Sequence, residues 1–221
     1  MKLARRSRFA IFDLDGVLLD TEPLYTEATA QVAARFGKLY DWSVKRDCIG
    51  RGTLEAACVI VDALALPLSP EALVLERDRV LVELVARAPA IAGAEAFTRA
   101  LAARGVPLAI ATSTEAPLYA IKAARHRDWL ALFRAAVCGD DPRVARSKPA
   151  PDIFLAAAQD LGAPPETCVV FEDSPFGVEA AVAAGMQVIA LPDPAMDRAR
   201  YAGAHAVVAG FADLTIEQLG F

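Results

Sequence analysis

The chain of 221 residues is poor in the side chains that usually build a zinc site or a nucleic-acid-binding surface. It has two histidines and four cysteines, and no two cysteines have the Cys-x-x-Cys spacing, so we do not expect zinc. The net charge is −5, with 23 basic against 28 acidic side chains, which argues against a nucleic-acid partner. We expect the one short basic cluster to be a solvated tail; it consists of Lys2, Arg5, Arg6 and Arg8.

Long apolar segments are missing as well. No run reaches the roughly 18 residues that suggest a membrane-spanning helix, and the apolar run behind the basic cluster ends at Asp13, too early for a secretory signal. The four cysteines are scattered in apolar surroundings, which is typical of buried thiols in a reducing compartment. We therefore expect a cytoplasmic protein with no membrane partner. We also expect a monomer or a weak homodimer.

Hydrophobic residues make up 55% of the chain, enough to bury a sizeable core, and their spacing changes near residue 90. Residues 20–89 predict helices that begin near 22, 43, 53 and 70, with no convincing strand. Short apolar strands then alternate with helices, as in a parallel sheet covered on both faces. We predict an α/β core, residues 1–19 and 90–221, with an all-helical insertion at 20–89. The predicted strands are 9–12, 108–111, 135–138, 167–171, 187–190 and 206–208, and the predicted helices between them are 94–104, 116–127, 151–161 and 175–184.

The first predicted strand runs directly into Asp13-Leu14-Asp15-Gly16. Residues i and i+2 of an extended chain point to the same side, so the two carboxylates would converge on one spot at the strand's carboxyl end. Two such charges need a cation or a shared proton, and Mg²⁺ prefers oxygen ligands and often shares a site with phosphate. One carboxylate could attack phosphorus while the other handles the proton. For the motif alone, the alternative is a pair of solvated aspartates before a turn.

Further polar residues stand where other predicted strands end, which is where parallel sheets bind ligands. Thr112-Ser113-Thr114 follows the second strand, Ser147-Lys148-Pro149 precedes a helix, and Glu172-Asp173-Ser174 follows the fourth strand. Each segment alone could be a helix cap or surface charge. Together they supply a nucleophile, metal ligands, a donor to phosphate oxygens and a counter-charge, which is the combination that phosphoryl transfer requires.

These motifs resemble the haloacid dehalogenase superfamily of phosphohydrolases over essentially the whole chain. The four motifs stand in the family's order: Asp13-Leu14-Asp15-Gly16, Thr112, Lys148 and Glu172-Asp173. The resemblance implies a Rossmann-like core, and it implies that the insertion at residues 20–89 is a helical cap that closes over the site and selects the substrate.

The resemblance also implies roles for single residues. Asp13 would be the nucleophile that becomes phosphorylated, and Asp15 the general acid and base. Asp13, the main-chain carbonyl of Asp15, and Asp173 would hold Mg²⁺, with Glu172 acting through water. The transferring phosphoryl group would be bound by Thr112 and Lys148.

We expect three further residues to contact the substrate or its phosphate. Ser113 lies next to Thr112, and Thr21 and Arg51 lie in the insertion. Arg51, between two glycines, could meet a second anionic group of the substrate, or it could be a surface arginine of a loop.

Within the resemblance, the residues favour a phosphatase over two other activities. Members that displace halide lack a carboxylate at the position of Asp15, because they need no proton donor for the leaving group. β-Phosphoglucomutase-type members have histidine where this chain has Tyr25, and Lys-Asn where it has Glu115-Ala116. Because Glu115 would repel the second phosphate of a bisphosphate intermediate, a phosphosugar mutase is the alternative and a phosphatase the prediction.

Several segments resemble pseudouridine-5′-phosphatases and related small-metabolite phosphatases in particular. Pseudouridine 5′-phosphate is therefore the leading substrate candidate, with sugar and polyol phosphates open. Two rival classes of protein are weighed against the phosphatase. A signalling receiver domain is shorter and lacks a helical insertion. A non-catalytic binding module would be expected to have lost Asp13 or Asp15, and both are present. The segments that resemble the pseudouridine-5′-phosphatases are 13–25, 139–142, 148–154 and 171–186.

Overall fold

The structure is a computed structural model that describes residues 6–49 and 51–221. The chain divides into two compact units, one formed by the residues up to Asp20 together with Pro89–Phe221, the other by Thr21–Ala88. Lys2 and Arg5 of the expected basic tail, and Gly50, one of the two glycines beside Arg51, lie outside the described residues. That the smaller unit acts as a cap stays a prediction.

Within its described residues, the smaller unit consists of helices joined by turns and loops. Pro70 and the Ser69 hydroxyl, which accepts a 3.2 Å hydrogen bond from the Ala72 N–H, start its longest helix in the usual way. Apolar residues spaced by three or four, among them Val32 and Leu73, form the unit's own core. Its helices are α1 Glu22–Ala34, α2 Trp42–Lys45, α3 Thr53–Leu64 and α4 Pro70–Val85.

A parallel sheet of six strands forms the centre of the larger unit and confirms the predicted α/β fold. Its strand order is β3-β2-β1-β4-β5-β6, so that β1 lies between β2 and β4. Three of these strands are buried along their length, which is why they appear in the sequence as apolar runs apart from Glu172 and Gln187 at strand ends. The strands are β1 Phe9–Phe12, β2 Leu108–Ala111, β3 Ala135–Val137, β4 Cys168–Glu172, β5 Gln187–Ala190 and β6 Ala206–Val207.

Among the described residues of the larger unit, five α-helices connect or follow these strands. The predicted helix 116–127 is interrupted, because His126 leaves the helical conformation. The first helix ends at Ala123, a 3₁₀ turn covers Ala124–His126, and a short helix follows. None of the helices that the structure describes combines the length and the apolar character needed to cross a membrane. The helices are α5 Ala94–Ala103, α6 Ala116–Ala123, α7 Arg127–Leu130, α8 Asp152–Leu161 and α9 Pro175–Ala183.

Aromatic packing fixes the two strands that carry most of the acidic residues. The rings of Phe12 in β1 and Phe171 in β4 are stacked with centroids 4.4 Å apart, and the Phe133 ring meets Phe12 edge-on at 5.8 Å. Both strand phenylalanines are fully buried, and burying such a side chain contributes about 1.5–3 kcal/mol. The residues that follow these two rings therefore start from a rigid platform.

Candidate active site

Asp13, Thr112 and Glu172 are brought together because neighbouring parallel strands end at the same edge of the sheet. Asp13 follows β1 directly, and its N–H donates to the Phe171 carbonyl at 3.0 Å, extending the pairing with β4 by one residue. Thr112 follows β2 in the same way, with its N–H donating to the Val137 carbonyl at 3.0 Å. Glu172 is the last residue of β4.

Lys148 supplies a buried cation between two of these acids. Its Nζ donates to Asp13 Oδ1 at 2.7 Å and makes a second, short hydrogen bond to Glu172 Oε1. The ammonium also lies over the Phe154 ring, 4.9 Å from its centroid, which holds it from the side of α8. The structure thus places Lys148 against Asp13 as a counter-charge.

Charge and burial act against each other in this cluster. Burial raises the pKa of Asp13 to about 7, the Lys148 ammonium opposes that rise, and the Glu172 carboxylate adds to it. Burial by itself would lower the pKa of Lys148, but the carboxylates of Asp13 and Glu172 outweigh it and hold that pKa above its usual value. Because one ammonium faces several carboxylates, a further cation would relieve the remaining repulsion.

Three acidic residues lie close enough together to be able to hold a metal ion. Asp13, Glu172 and Asp173 each offer a carboxylate oxygen, and these atoms lie within 4.8 Å of one another. A set made only of oxygen ligands suits a hard cation such as Mg²⁺. Glu172 is restrained at both oxygens, because Oε1 accepts from Lys148 while Oε2 accepts from the Ser174 N–H at 2.8 Å and the Ser174 hydroxyl at 3.0 Å.

Two glycines allow the backbone to approach these acids closely. Gly16 has a φ of +77°, and a Cβ there would collide with the Asp173 carboxylate. Gly177 lies in α9, where a Cβ would collide with the Glu172 carboxyl group. The glycine of the first motif is therefore needed both for the turn and for the space that Asp173 occupies.

Asp15 has a different set of partners from Asp13. Its Oδ1 forms a 2.6 Å ion pair with Lys122 Nζ, and its Oδ2 accepts from the Thr114 hydroxyl at 2.7 Å. Sequence reasoning expected the two aspartates to converge on one spot. In the structure each is paired with its own lysine, although Asp15 is near enough to raise the pKa of Asp13.

Lys122 is the polar residue at this edge that sequence reasoning missed. It is fully buried and donates to both Asp15 and Thr114. The available signal was a lysine at the end of an otherwise apolar or aromatic helical segment, 118–123, that closely follows a polar loop. That signal is weak, because a lysine on a helix usually faces solvent.

The loop after β2 is held in place by the loop after β3. The Thr112 hydroxyl accepts from the Thr114 N–H at 3.1 Å, and the Thr114 carbonyl accepts from the Gly139 N–H at 2.9 Å. Gly139 packs so closely on Ser113 that a Cβ would collide with the Ser113 carbonyl. Thr112 is buried and Ser113 is exposed, so the loop offers one anchored and one accessible hydroxyl residue.

The remaining expected residues belong to the smaller unit. Thr21 is buried at the start of α1, where its carbonyl accepts from the Leu24 and Tyr25 N–H groups at 2.9 and 3.0 Å. Arg51 forms an ion pair with Glu55 and donates to the Asp47 carbonyl at 2.6 Å. Contact of Thr21 or Arg51 with a substrate stays a prediction.

Comparison with known proteins identifies the family of this arrangement. A family model described as haloacid dehalogenase-like hydrolase matches residues 8–185, a range that contains every site residue of the larger unit. A protein of Drosophila melanogaster named probable pseudouridine-5′-phosphatase is 42% identical over 222 residues, which cover 99% of this chain and 96% of that protein.

Two further similarities span most of the chain. The mitochondrial (DL)-glycerol-3-phosphatase 1 of Arabidopsis thaliana is 41% identical over 215 residues, covering 95% of this chain and 72% of the relative. The crystal structure of CbbY from Rhodobacter sphaeroides in complex with phosphate has a TM-score of 0.77 at 27% identity, covering 97% of this chain and all of that one. From the family model and these relatives we conclude that the chain belongs to the haloacid dehalogenase-like hydrolases.

Proposed function

We propose that the protein is a magnesium-dependent phosphomonoesterase that removes phosphate from a small metabolite through an aspartyl-phosphate on Asp13. The phosphatase class itself follows from the family and from relatives that are named as phosphatases. The metal, the covalent intermediate and the substrate are the parts that we propose. The observation that carries the proposal is the buried Asp13 carboxylate, held at 2.7 Å by Lys148 within a cluster of acids.

In the proposed first step, a carboxylate oxygen of Asp13 forms a bond to phosphorus while the bond from phosphorus to the alcohol oxygen breaks. The alcohol oxygen takes a proton from Asp15, and the alcohol leaves. In the second step, water attacks phosphorus, its proton passes to Asp15, and the bond between phosphorus and Asp13 breaks. Inorganic phosphate is released, and both aspartates return to their starting forms.

The acidic residues fit Mg²⁺ on the chemistry of their oxygens. Asp13, Asp173 and the main-chain carbonyl of Asp15 are the proposed ligands, and Glu172 completes the acidic set through water. Glu172 suits that indirect role because both of its oxygens already accept hydrogen bonds within the protein. When bound, the cation neutralises carboxylate and phosphoryl charge and orients the phosphoryl oxygens.

Phosphate binding is assigned to Lys148, Thr112 and Ser113. Lys148 brings a fixed positive charge next to Asp13, where the transferring oxygens develop negative charge. Thr112 and Ser113 belong to the loop anchored by Gly139, so their donors stay in place during the reaction. Positioning of this kind is the main source of catalysis in phosphoryl transfer.

Pseudouridine 5′-phosphate is the leading substrate, and glycerol phosphates and sugar phosphates are the other candidates. The relatives' names support this range of small phosphate monoesters. The smaller unit, as the proposed cap, would select among them with Thr21 and Arg51. We also propose a cytoplasmic location, which is supported by the free thiol state of all four cysteines.

The experiment that tests this function measures inorganic phosphate release from a panel of phosphate esters, with Mg²⁺ or with EDTA. The panel contains pseudouridine 5′-phosphate, nucleoside monophosphates, glycerol 3-phosphate, sugar phosphates and β-glucose 1-phosphate. Release that requires Mg²⁺ would support the proposal, and the best substrate would name the activity. Conversion of β-glucose 1-phosphate to glucose 6-phosphate without release would instead identify a mutase, and silence across the panel would favour a binding module.

A further inference from the structure

Lys122 is a buried cation that the proposed mechanism does not use. Its side chain is 0% exposed, and it is the one residue of α6 that is buried. Removing an ammonium from water costs several kcal/mol unless a partner compensates, and well-packed apolar residues often replace buried ion pairs without loss of stability. A lysine at this position therefore calls for an explanation beyond packing.

Lys122, Thr114 and Asp15 all hydrogen-bond to one another. Lys122 Nζ donates to Asp15 Oδ1 at 2.6 Å and to the Thr114 hydroxyl oxygen at 2.8 Å. Because an ammonium is only a donor, Thr114 accepts from it, and the single hydroxyl hydrogen is left to donate to Asp15 Oδ2 at 2.7 Å. Both oxygens of the Asp15 carboxyl group are held, so its position and the plane of the group are fixed.

From this arrangement we infer that Lys122, acting directly and through Thr114, is a positioning residue for the general acid and base Asp15. The inference rests on the proposed function, which gives Asp15 that role. The contacts that link Lys122 to the proposed chemistry are those to Asp15 and to Thr114. The effect of Lys122 on the reaction is therefore to keep the Asp15 carboxyl group where a leaving oxygen or a water molecule can exchange a proton with it.

The rate loss caused by removing Lys122 should depend on the leaving group of the substrate. An alkyl phosphate must protonate its departing oxygen, so its cleavage depends on a well-placed acid, whereas p-nitrophenolate leaves with little help. Small misplacement of a catalytic group costs on the order of 100-fold in rate. Loss of Lys122 should therefore slow alkyl esters much more than an aryl ester, while a general loss of structure would slow both alike.

The test compares kcat/KM for p-nitrophenyl phosphate with kcat/KM for the faster of glycerol 3-phosphate and pseudouridine 5′-phosphate. Lys122→Met should lower the value for the alkyl ester about 10- to 100-fold and the value for p-nitrophenyl phosphate less than about threefold. In an Asp15→Asn background, Lys122→Met should cause little further loss, since the group it positions is gone. Lys38→Met, at an exposed lysine of the smaller unit, is the control and should change neither value.

A second pair of variants tests the same inference without removing the buried charge. Thr114→Val deletes the hydroxyl that holds Asp15 Oδ2 and should reproduce the selective loss, while Thr114→Ser keeps a hydroxyl and should restore most of the alkyl-ester activity. This pair decides the question if Lys122→Met does not fold, which thermal unfolding will show.

The possible failures can be told apart. Equal losses for both substrates, or no loss for either, in variants of an active enzyme would overturn the positioning role and leave the proposed function standing. If the unmodified protein releases no phosphate from either kind of ester, the proposed function fails, and the role of Lys122 fails with it.

Discussion

Gly177 shows how a single residue can be required by the site rather than by its helix. It lies in α9, where alanine would normally be preferred by about 0.5–1 kcal/mol. A Cβ at this position would collide with the Glu172 carboxyl group, which is itself held by Lys148 and Ser174. Glycine is therefore the residue that lets α9 start beside a buried acid.

We predict that Gly177→Ala destabilises the protein in spite of its better helix propensity. Overpacking of a rigid site costs typically about 1–3 kcal/mol, which exceeds the gain in propensity. Displacement of Glu172 should also reduce phosphate release more than about tenfold, since misplacing groups in such a site is costly. Urea unfolding and the phosphate assay check both effects, with Gly203→Ala, where a Cβ meets only ordinary contact, as the control. Unchanged stability and activity would show that Glu172 can move freely.

Among the site residues, Lys148 is the one whose removal should lower the free energy of unfolding most. Lys148→Met leaves the buried Asp13 and Glu172 carboxylates without their cation, and breaking a buried pair in this way costs about 3–5 kcal/mol. We expect that loss in the free energy of unfolding measured with EDTA. Excess Mg²⁺ should recover part of it, because the cation binds the folded acids. Equal destabilisation with and without Mg²⁺ would contradict a metal site beside Asp13.

At the scale of elements, α6 depends on a cap that comes from elsewhere in the chain. Its own N-cap residue, Glu115, makes no side-chain cap, and the Ala116 N–H instead donates to Asp140 Oδ1 at 2.9 Å. Asp140 belongs to the loop after β3 that also contains Gly139. One short loop thus fixes both the start of α6 and the position of the residues before it.

We predict that Asp140→Ala lowers the free energy of unfolding by about 0.5–2 kcal/mol, the usual contribution of a helix cap. It should also reduce phosphate release, because α6 carries Lys122 and follows Thr112. Asp160→Ala is the matched control, since it breaks only an exposed ion pair with Arg143, and such pairs contribute about 0–1 kcal/mol. An Asp140 variant that behaves like the Asp160 variant would refute the cap.

The elements also show what sequence reasoning could and could not reach. The strands 108–111 and 187–190 were predicted at their observed bounds, because a buried parallel strand appears as an apolar run, which in the second strand follows a single polar residue, Gln187. The break of the predicted helix 116–127 was missed, since nothing in its spacing marks His126. The pairing of Lys122 with Asp15 was missed for a different reason: it joins residues 107 positions apart, and local patterns carry no such information.

At the scale of the whole molecule, the described residues divide into two units with separate cores. The acids, both lysines and the hydroxyl loop all belong to the larger unit, which alone contains the groups of the proposed phosphoryl chemistry. Thr21 and Arg51, expected from sequence to bind substrate, belong to the smaller one. The residues expected to carry the chemistry stand at strand ends, which apolar runs mark in the sequence. The residues expected to select the substrate stand just before helices, whose apolar pattern indicates only the helices' own packing.

The thiols offer a test of the whole fold that is independent of activity. Cys138 and Cys168 are buried, and burial raises the pKa of Cys138 to about 11 and that of Cys168 to about 12, whereas Cys58 is exposed. We predict that Cys58 reacts rapidly with a thiol reagent at pH 8, while Cys138 and Cys168 react only on unfolding. Mass spectrometry of the labelled protein identifies the sites, and rapid labelling of Cys168 in the native protein would be inconsistent with the buried β4.

The central claim is that Asp13 is the nucleophile of a magnesium-dependent phosphatase. The most direct measurement is phosphate release by the unmodified protein and by Asp13→Asn, each with Mg²⁺ and with EDTA, on the best ester of the panel. The account predicts release by the unmodified protein only with Mg²⁺, and none above background by a variant that keeps the same thermal unfolding profile. Substantial release by Asp13→Asn, or full release in EDTA, would contradict it.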